Sequence, residues 1–129
     1  MILSDTAILS AIEAGDIVVE PYDRERLGTN SYDVRLGRHL ACYVDEVLDA
    51  RAHNHVERFE IGPEGIVLQP GKTYLGATEE YTETRRYVPF LEGKSSVGRL
   101  GIDIHATAGE GDVGFCNHWT LEIFRHLFP

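Results

Sequence analysis

Polar and apolar positions alternate along most of this chain, and only its first residues follow a helical period. Ser4, Asp5 and Thr6 can cap a helix, and Ile8, Leu9 and Ile12 then share one face, so residues 5–14 predict a short amphipathic helix closed by Gly15. Ile17, Val18 and Val19 form a β-branched run stopped by Pro21, with a polar loop over residues 22–30. Tyr32, Val34 and Leu36 mark one face of an expected half-buried strand over 31–37, and Leu40, Cys42 and Val44 another over 39–48. Residues 49–65 are charged and irregular, with Phe59 and Ile61 as a candidate strand pair. Segments 65–69 and 73–78 read as strands around the Pro70-Gly71 turn, 79–87 as a polar connection and 88–92 as extended chain. A short helix capped by Ser95 or Ser96 is expected next. Ile102, Ile104 and Ala106 alternate in one later strand and Trp119, Leu121 and Ile123 in another, with a glycine-rich turn over 109–114 between them. Short strands separated by frequent turns predict a mainly β sandwich or barrel carrying one or two helices.

Composition narrows the class without naming an activity. The 129 residues fit one domain, and no repeat, low-complexity tract or linker divides residues 1–129. With 21 acidic residues against 12 basic ones, the net charge of −9 argues against non-specific binding to nucleic acid or to an anionic membrane. A few local cations, or a metal ion, can still receive a small anionic ligand. Cys42 and Cys116 form neither a disulfide framework nor a CxxC metal pair, and are expected as free thiols in a reducing compartment. No apolar run approaches the roughly 20 residues that span a bilayer, and the N-terminus lacks the features of a signal peptide, so a cytoplasmic protein is expected.

Few residues carry obvious chemistry. Lys94, Ser95, Ser96 and Arg99 put hydroxyls and two cations within six positions. That spacing suits an anion cradle, and equally a capped helix with solvated basic residues. Glu122 points opposite to Leu121 and Ile123, as a solvent-facing strand carboxylate or as a general base beside a cleft. Asp112 lies in a glycine-rich turn, where aspartate ordinarily satisfies backbone amides. His53 and His55 have metal-pair spacing but no evident third ligand, while His105 and Trp119 read as packing residues. Zinc deaminases pair H-x-E with P-C-x-x-C, and the P-C-x-x-C half is absent from the sequence.

Larger motifs carry a resemblance. Residues 91–101 (LEGKSSVGRLG), His105–Gly109 (HATAG), Gly111–Phe115 (GDVGF) and Trp119–Ile123 (WTLEI) resemble, in order, the pattern of the dCTP deaminase family. Residues 31–37 (SYDVRLG) and 68–71 (LQPG) match upstream, so the likeness covers nearly the whole chain. It implies a distorted dUTPase-like β-barrel of the β-clip type, with a short N-terminal helix and one short central helix, assembled as a homotrimer with shared active sites. It also implies zinc-independent hydrolysis of dCTP to dUTP and ammonia, with magnesium carried on the triphosphate. By the same resemblance Glu122 is the general base, and Ser95 and Arg99 hold the water and the polarised base. Lys94 and Ser96 face the phosphates with Ser95, and Ala106, Thr107 and Ala108 supply backbone bonds to the base edge. Asp112 meets the deoxyribose, and Trp119 belongs to the substrate contacts.

The chain stops at Pro129, seven residues after Glu122, and its ending Phe124–Pro129 does not continue the family pattern, so a relative lacking the C-terminal strands and tail is expected. Lys94 stands where many relatives have arginine, and Glu110 where several have a basic residue. Three functions follow: a deaminase, alone or joined to diphosphatase activity; a dUTP diphosphatase working through Asp112; or a non-catalytic nucleotide-binding relative. The Thr120-Leu121-Glu122 strand and Phe115, where a diphosphatase usually has tyrosine, lean towards the deaminase.

Overall fold

In the computed structural model, which describes residues 1–127, Ser4 opens α1 (Asp5–Glu13) by accepting a hydrogen bond from the Ala7 amide at 3.3 Å. Asp5 adds a negative charge to the first turn, and Gly15, at φ 76°, ends the helix with its amide on the Ile12 carbonyl. The chain forms two compact units, each assembled from three separate segments.

The first unit comprises Met1–Leu36, Thr78–Leu91 and Ala108–Trp119. Its sheet joins β1 (Ile17–Glu20), β5 (Tyr81–Thr84) and β7 (Cys116–Asn117) in antiparallel register, in the order β1-β5-β7. Ala11, Val19, Leu27, Leu91 and Trp119 are buried here, together with the polar Thr78, Glu80, Thr82 and Thr84. The expected polar connection over 79–87 is therefore partly a strand. Two β-branched threonines line its inner face, while Tyr81, Glu83 and Arg85 bond to one another on the outer one. The Tyr81 hydroxyl and then the Arg85 guanidinium hold Glu83 below the usual carboxylate range.

The strand expected over 31–37 does not form as a ladder; it is reduced to bridges of Tyr32 with Leu27 and Leu36 with Thr78. Its backbone is already engaged. The Asp33 amide goes to the Arg26 carbonyl, the Arg35 amide to the Glu80 carboxylate, and the Arg35 carbonyl accepts from Glu79. Residues 88–92 likewise form one bridge, Phe90 with Glu110, instead of a strand.

The second unit comprises Gly37–Ala77, Glu92–Thr107 and the chain from Thr120. Its antiparallel sheet has the order β3-β2-β4-β8-β6, from β2 (His39–Tyr43), β3 (Val56–Glu60), β4 (Thr73–Ala77), β6 (Ile102–Asp103) and β8 (Thr120–Arg125). Leu40, Cys42, Tyr74, Leu121 and Ile123 are buried in it, which bears out the alternation read for β2 and β8. Strand β2 stops at Tyr43, leaving Val44, Val47 and Leu48 exposed, and residues 65–69 are irregular. The one-turn helix α2 (Ser95–Gly98) forms as expected, but its N-cap is Lys94, which makes no side-chain capping bond, not Ser95 or Ser96. Phe124 and Arg125 continue β8; the last two residues of the divergent ending, Phe128 and Pro129, lie outside the described residues.

The mainly β architecture with one N-terminal and one central helix is thus the one expected. Cys42 is buried and Cys116 exposed, both as free thiols. No described helix is long and apolar enough to cross a membrane.

Candidate active site

Strand β8 sorts its side chains by face. Leu121 and Ile123, each 4% exposed, enter the core, so Glu122 and Phe124 project from the opposite side. The β4 register puts Leu75 opposite Glu122 and Thr73 opposite Phe124, and β6 puts Asp103 on the far side of Phe124. Beyond Asp103 the chain leaves the ladder, shortening the strand expected over 102–106. This frees the Ala106 amide, which donates to Glu122 Oε2 at 3.2 Å. A half-buried carboxylate is thereby held by a neutral backbone donor.

Two cavities lie along this face. The first, about 280 Å³, is lined by Thr73, Asp103, His105, Ala106, Glu122 and Phe124. The second, about 310 Å³, takes Lys94, Ser95 and Glu92 among its walls, and shares Asp103 and His105 with the first. The carboxylate named from the sequence and the hydroxyl–cation segment thus border cavities with two walls in common. Of the remaining candidates in this unit, Ser96, Arg99 and Thr107 are exposed and line neither cavity.

Ala108, Asp112 and Trp119 belong to the first unit. Asp112 is exposed, and its carbonyl accepts the Phe115 amide within the turn. Trp119 is 9% exposed and stacks on Phe115 with ring centroids 4.4 Å apart; its amide donates to the Thr78 hydroxyl at 2.9 Å. Gly111 lies against that ring so tightly that a Cβ there would meet Trp119 Cη2 at 2.8 Å and Pro89 Cγ at 2.9 Å.

Sequence reasoning missed several walls. His105, read as a packing residue, borders both cavities; its Nε2 is 3.9 Å from Glu92 Oε2, and its buried Nδ1 has no hydrogen-bond partner among the described residues. Asp103 borders both as well and is bound to His126, Nε2 to Oδ2, at 2.7 Å. Thr73 and Phe124 complete the Glu122 cavity. Alternation places each on a face, yet it carries no information on which faces meet.

Among the described residues no three histidine, cysteine or acidic side chains converge as a metal-ligand set. His55 pairs with Asp45, Nδ1 to Oδ2, at 3.2 Å, and His53 lies edge-on to the His55 ring. The His55 amide and ring hold Asp45 below the usual carboxylate range.

Comparison with known proteins gives the family. A family model described as dCTP deaminase-like matches residues 2–129. The chain is 53% identical over 124 residues to a protein of Clostridium botulinum (strain Eklund 17B / Type B) named "dCTP deaminase, dUMP-forming", covering 96% of this chain and 71% of that relative. A protein of the same name from Cytophaga hutchinsonii is also 53% identical, with the same coverage. Among solved structures, the 2'-deoxycytidine 5'-triphosphate deaminase from Agrobacterium tumefaciens matches 99% of this chain with a TM-score of 0.71. This chain spans 43% of that protein, and the 22% identity makes it a likeness of fold. On the family match through both units, and on the identity to these relatives, the chain belongs to the dCTP deaminase-like family.

Proposed function

We propose that the chain is a dCTP deaminase that hydrolyses the C4 amine of dCTP and carries the product through to dUMP. The observation that supports this most directly is the Glu122 carboxylate bordering a cavity with the Ala106 amide on one oxygen. It occurs in a chain 53% identical to a protein named dCTP deaminase, dUMP-forming.

In this reading the Ala106 amide fixes the Glu122 carboxylate, and the second carboxylate oxygen takes a proton from water as that water bonds to C4. The C4=N3 double bond opens and N3 takes up that proton. The proton of the added hydroxyl then passes through Glu122 to the amine, the C4–N bond breaks, and ammonia leaves a C4 carbonyl and an N3–H behind, with one water consumed for each ammonia released. Such a proton relay is worth roughly 10²–10⁴ in rate, and orientation with preorganised dipoles supplies the rest. Ser95 and Arg99 hold the water and the base. The backbone at Ala106 and Thr107 reads the base edge. Lys94, Ser95 and Ser96 face the triphosphate, and magnesium arrives on it as part of the substrate. Asp112 meets the deoxyribose and, in the second step, orients the water that releases pyrophosphate from dUTP. The assembly in this reading is a homotrimer with shared sites, and light scattering that returns a clean monomer would count against it.

The test is a product assay on the purified chain with magnesium and either dCTP or dUTP, following ammonia, dUTP, dUMP and pyrophosphate. Ammonia from the wild type but not from Glu122→Gln supports the deaminase, and pyrophosphate lost in Asp112→Asn supports the second step. Pyrophosphate from dUTP without ammonia from dCTP would leave a diphosphatase alone. Nucleotide binding with neither product would overturn catalysis in favour of a binding protein.

A further inference from the structure

The Glu122 cavity has one large apolar side chain among the described residues that line it. Phe124 follows Glu122 by two positions on the same face of β8, while Thr73, Asp103, His105 and Glu122 make the rest of the lining polar apart from the small Ala106. The ring is half-buried, so part of it remains open to a ligand. It is also buttressed. The His126 ring lies edge-on to it, with centroids 5.3 Å apart and planes at 81°. His126 is held in turn by Asp103 Oδ2 at 2.7 Å, and by its own amide on the Gly101 carbonyl at 2.8 Å. Flanked by Thr73 on β4 and Asp103 on β6, the ring occupies the middle of a three-strand row.

We infer that Phe124 is the apolar wall against which the pyrimidine ring of the substrate rests beside Glu122, and that His126, anchored by Asp103, is a positioning residue for that wall. The inference rests on the proposed deaminase reading and adds a specificity-determining contact to it. A planar heterocycle needs its C4 presented at a fixed angle to the base and water. Polar groups at its edges fix it within the ring plane, and an apolar face fixes the plane itself. Aromatic rings serve nucleobases in this way because every base offers a π face. Locking the Phe124 ring beforehand lowers the ordering cost when substrate enters.

The test compares the wild-type chain, Phe124→Leu and Phe124→Tyr for ammonia release over a range of dCTP concentrations. Phe124→Leu is expected to raise KM about tenfold with kcat within about threefold, and Phe124→Tyr, which keeps the ring, to restore wild-type KM. His126→Ala is expected to raise KM by a smaller factor than Phe124→Leu. A wild-type KM in Phe124→Leu, with ammonia still released, overturns the inference and leaves the deaminase reading standing. A wild type that neither releases ammonia nor binds dCTP overturns both.

A second measurement guards against loss of folding in the leucine variant. With 4-fluorophenylalanine incorporated, the fluorine resonance that disappears in Phe124→Tyr is expected to shift on titration with dCTP, and not with inorganic tripolyphosphate. A resonance unmoved by saturating dCTP overturns the inference.

Discussion

Glu80 and Glu122 are two glutamates in one chain with opposite treatment. Glu80, in the first unit, is 0% exposed; it accepts the Arg35 amide on one oxygen and the Arg35 Nε on the other, each at 2.7 Å. Burial pushes its carboxyl up and is the largest single influence. The Arg35 amide, the Arg35 guanidinium and its own amide together outweigh it and hold the group below the usual range. The same pairing raises Arg35. Glu122, in the second unit, is half-buried at a cavity, and the Ala106 amide is its hydrogen-bond donor among the described residues. A carboxylate saturated by partners is fixed in its charge state and serves the fold. One left with an open oxygen at a cavity is placed to meet a ligand. On the proposed function, the same residue type thus serves as a structural post at Glu80 and as the reactive group at Glu122, according to how many donors the chain aims at it.

The contrast can be broken from either side. The largest stability effect is expected for Glu80→Ala, which strands the Arg35 amide and leaves the guanidinium with Glu79 alone, 3.2 Å from its Nε. About 3 kcal/mol should be lost, at the low end for a broken buried pair because Arg35 keeps some contact with water. Thermal melting should then fall by roughly 10 °C. The acid limb follows from the same group. Because the folded-state pKa of Glu80 is depressed, its contribution is fully present above its unfolded value, near 4.5, and is lost as pH falls through the lower folded value. Melting curves between about pH 6 and pH 3 should drop more steeply for wild type than for Glu80→Gln. Gly111→Ala is next. The added methyl meets Trp119 and Pro89 below 3 Å, and overpacking should cost about 2 kcal/mol in a urea titration. The smallest change is expected at the cavity of the second unit. A Cβ at Gly98 meets nothing within 4 Å, so Gly98→Ala should shift the urea midpoint by less than about 1 kcal/mol equivalent, towards stability.

The sequence made β8 legible because Leu121 and Ile123 alternate with Glu122 over a buried strand, which fixes where the carboxylate points. It also showed α1, whose cap and period lie within a few residues of each other. Strand β5 was hidden because its inner face is threonine, and hydrophobic alternation does not register a polar β-branched pair. The Arg35–Glu80 bond joins residues 45 positions apart, and Ala106–Glu122 joins residues 16 apart. Local periodicity cannot report either contact. For the same reason Asp103 and His105 were readable as strand positions but not as walls of a cavity, and Phe124 was read only as the start of the divergent ending. Lys94 replaces the expected serine as the cap of α2, which shows how weakly residue preference fixes so short a helix.

The most direct measurement takes Glu122→Gln and Glu80→Gln side by side, with ammonia release from dCTP and thermal melting read on the same preparations. Glu122→Gln should lose roughly 10²-fold or more in kcat while melting with the wild type, and Glu80→Gln should melt several degrees lower, by roughly 1–3 kcal/mol of lost stability. Ammonia release undiminished in Glu122→Gln, or a melting loss there as large as that of Glu80→Gln, would contradict the division of labour between the two carboxylates.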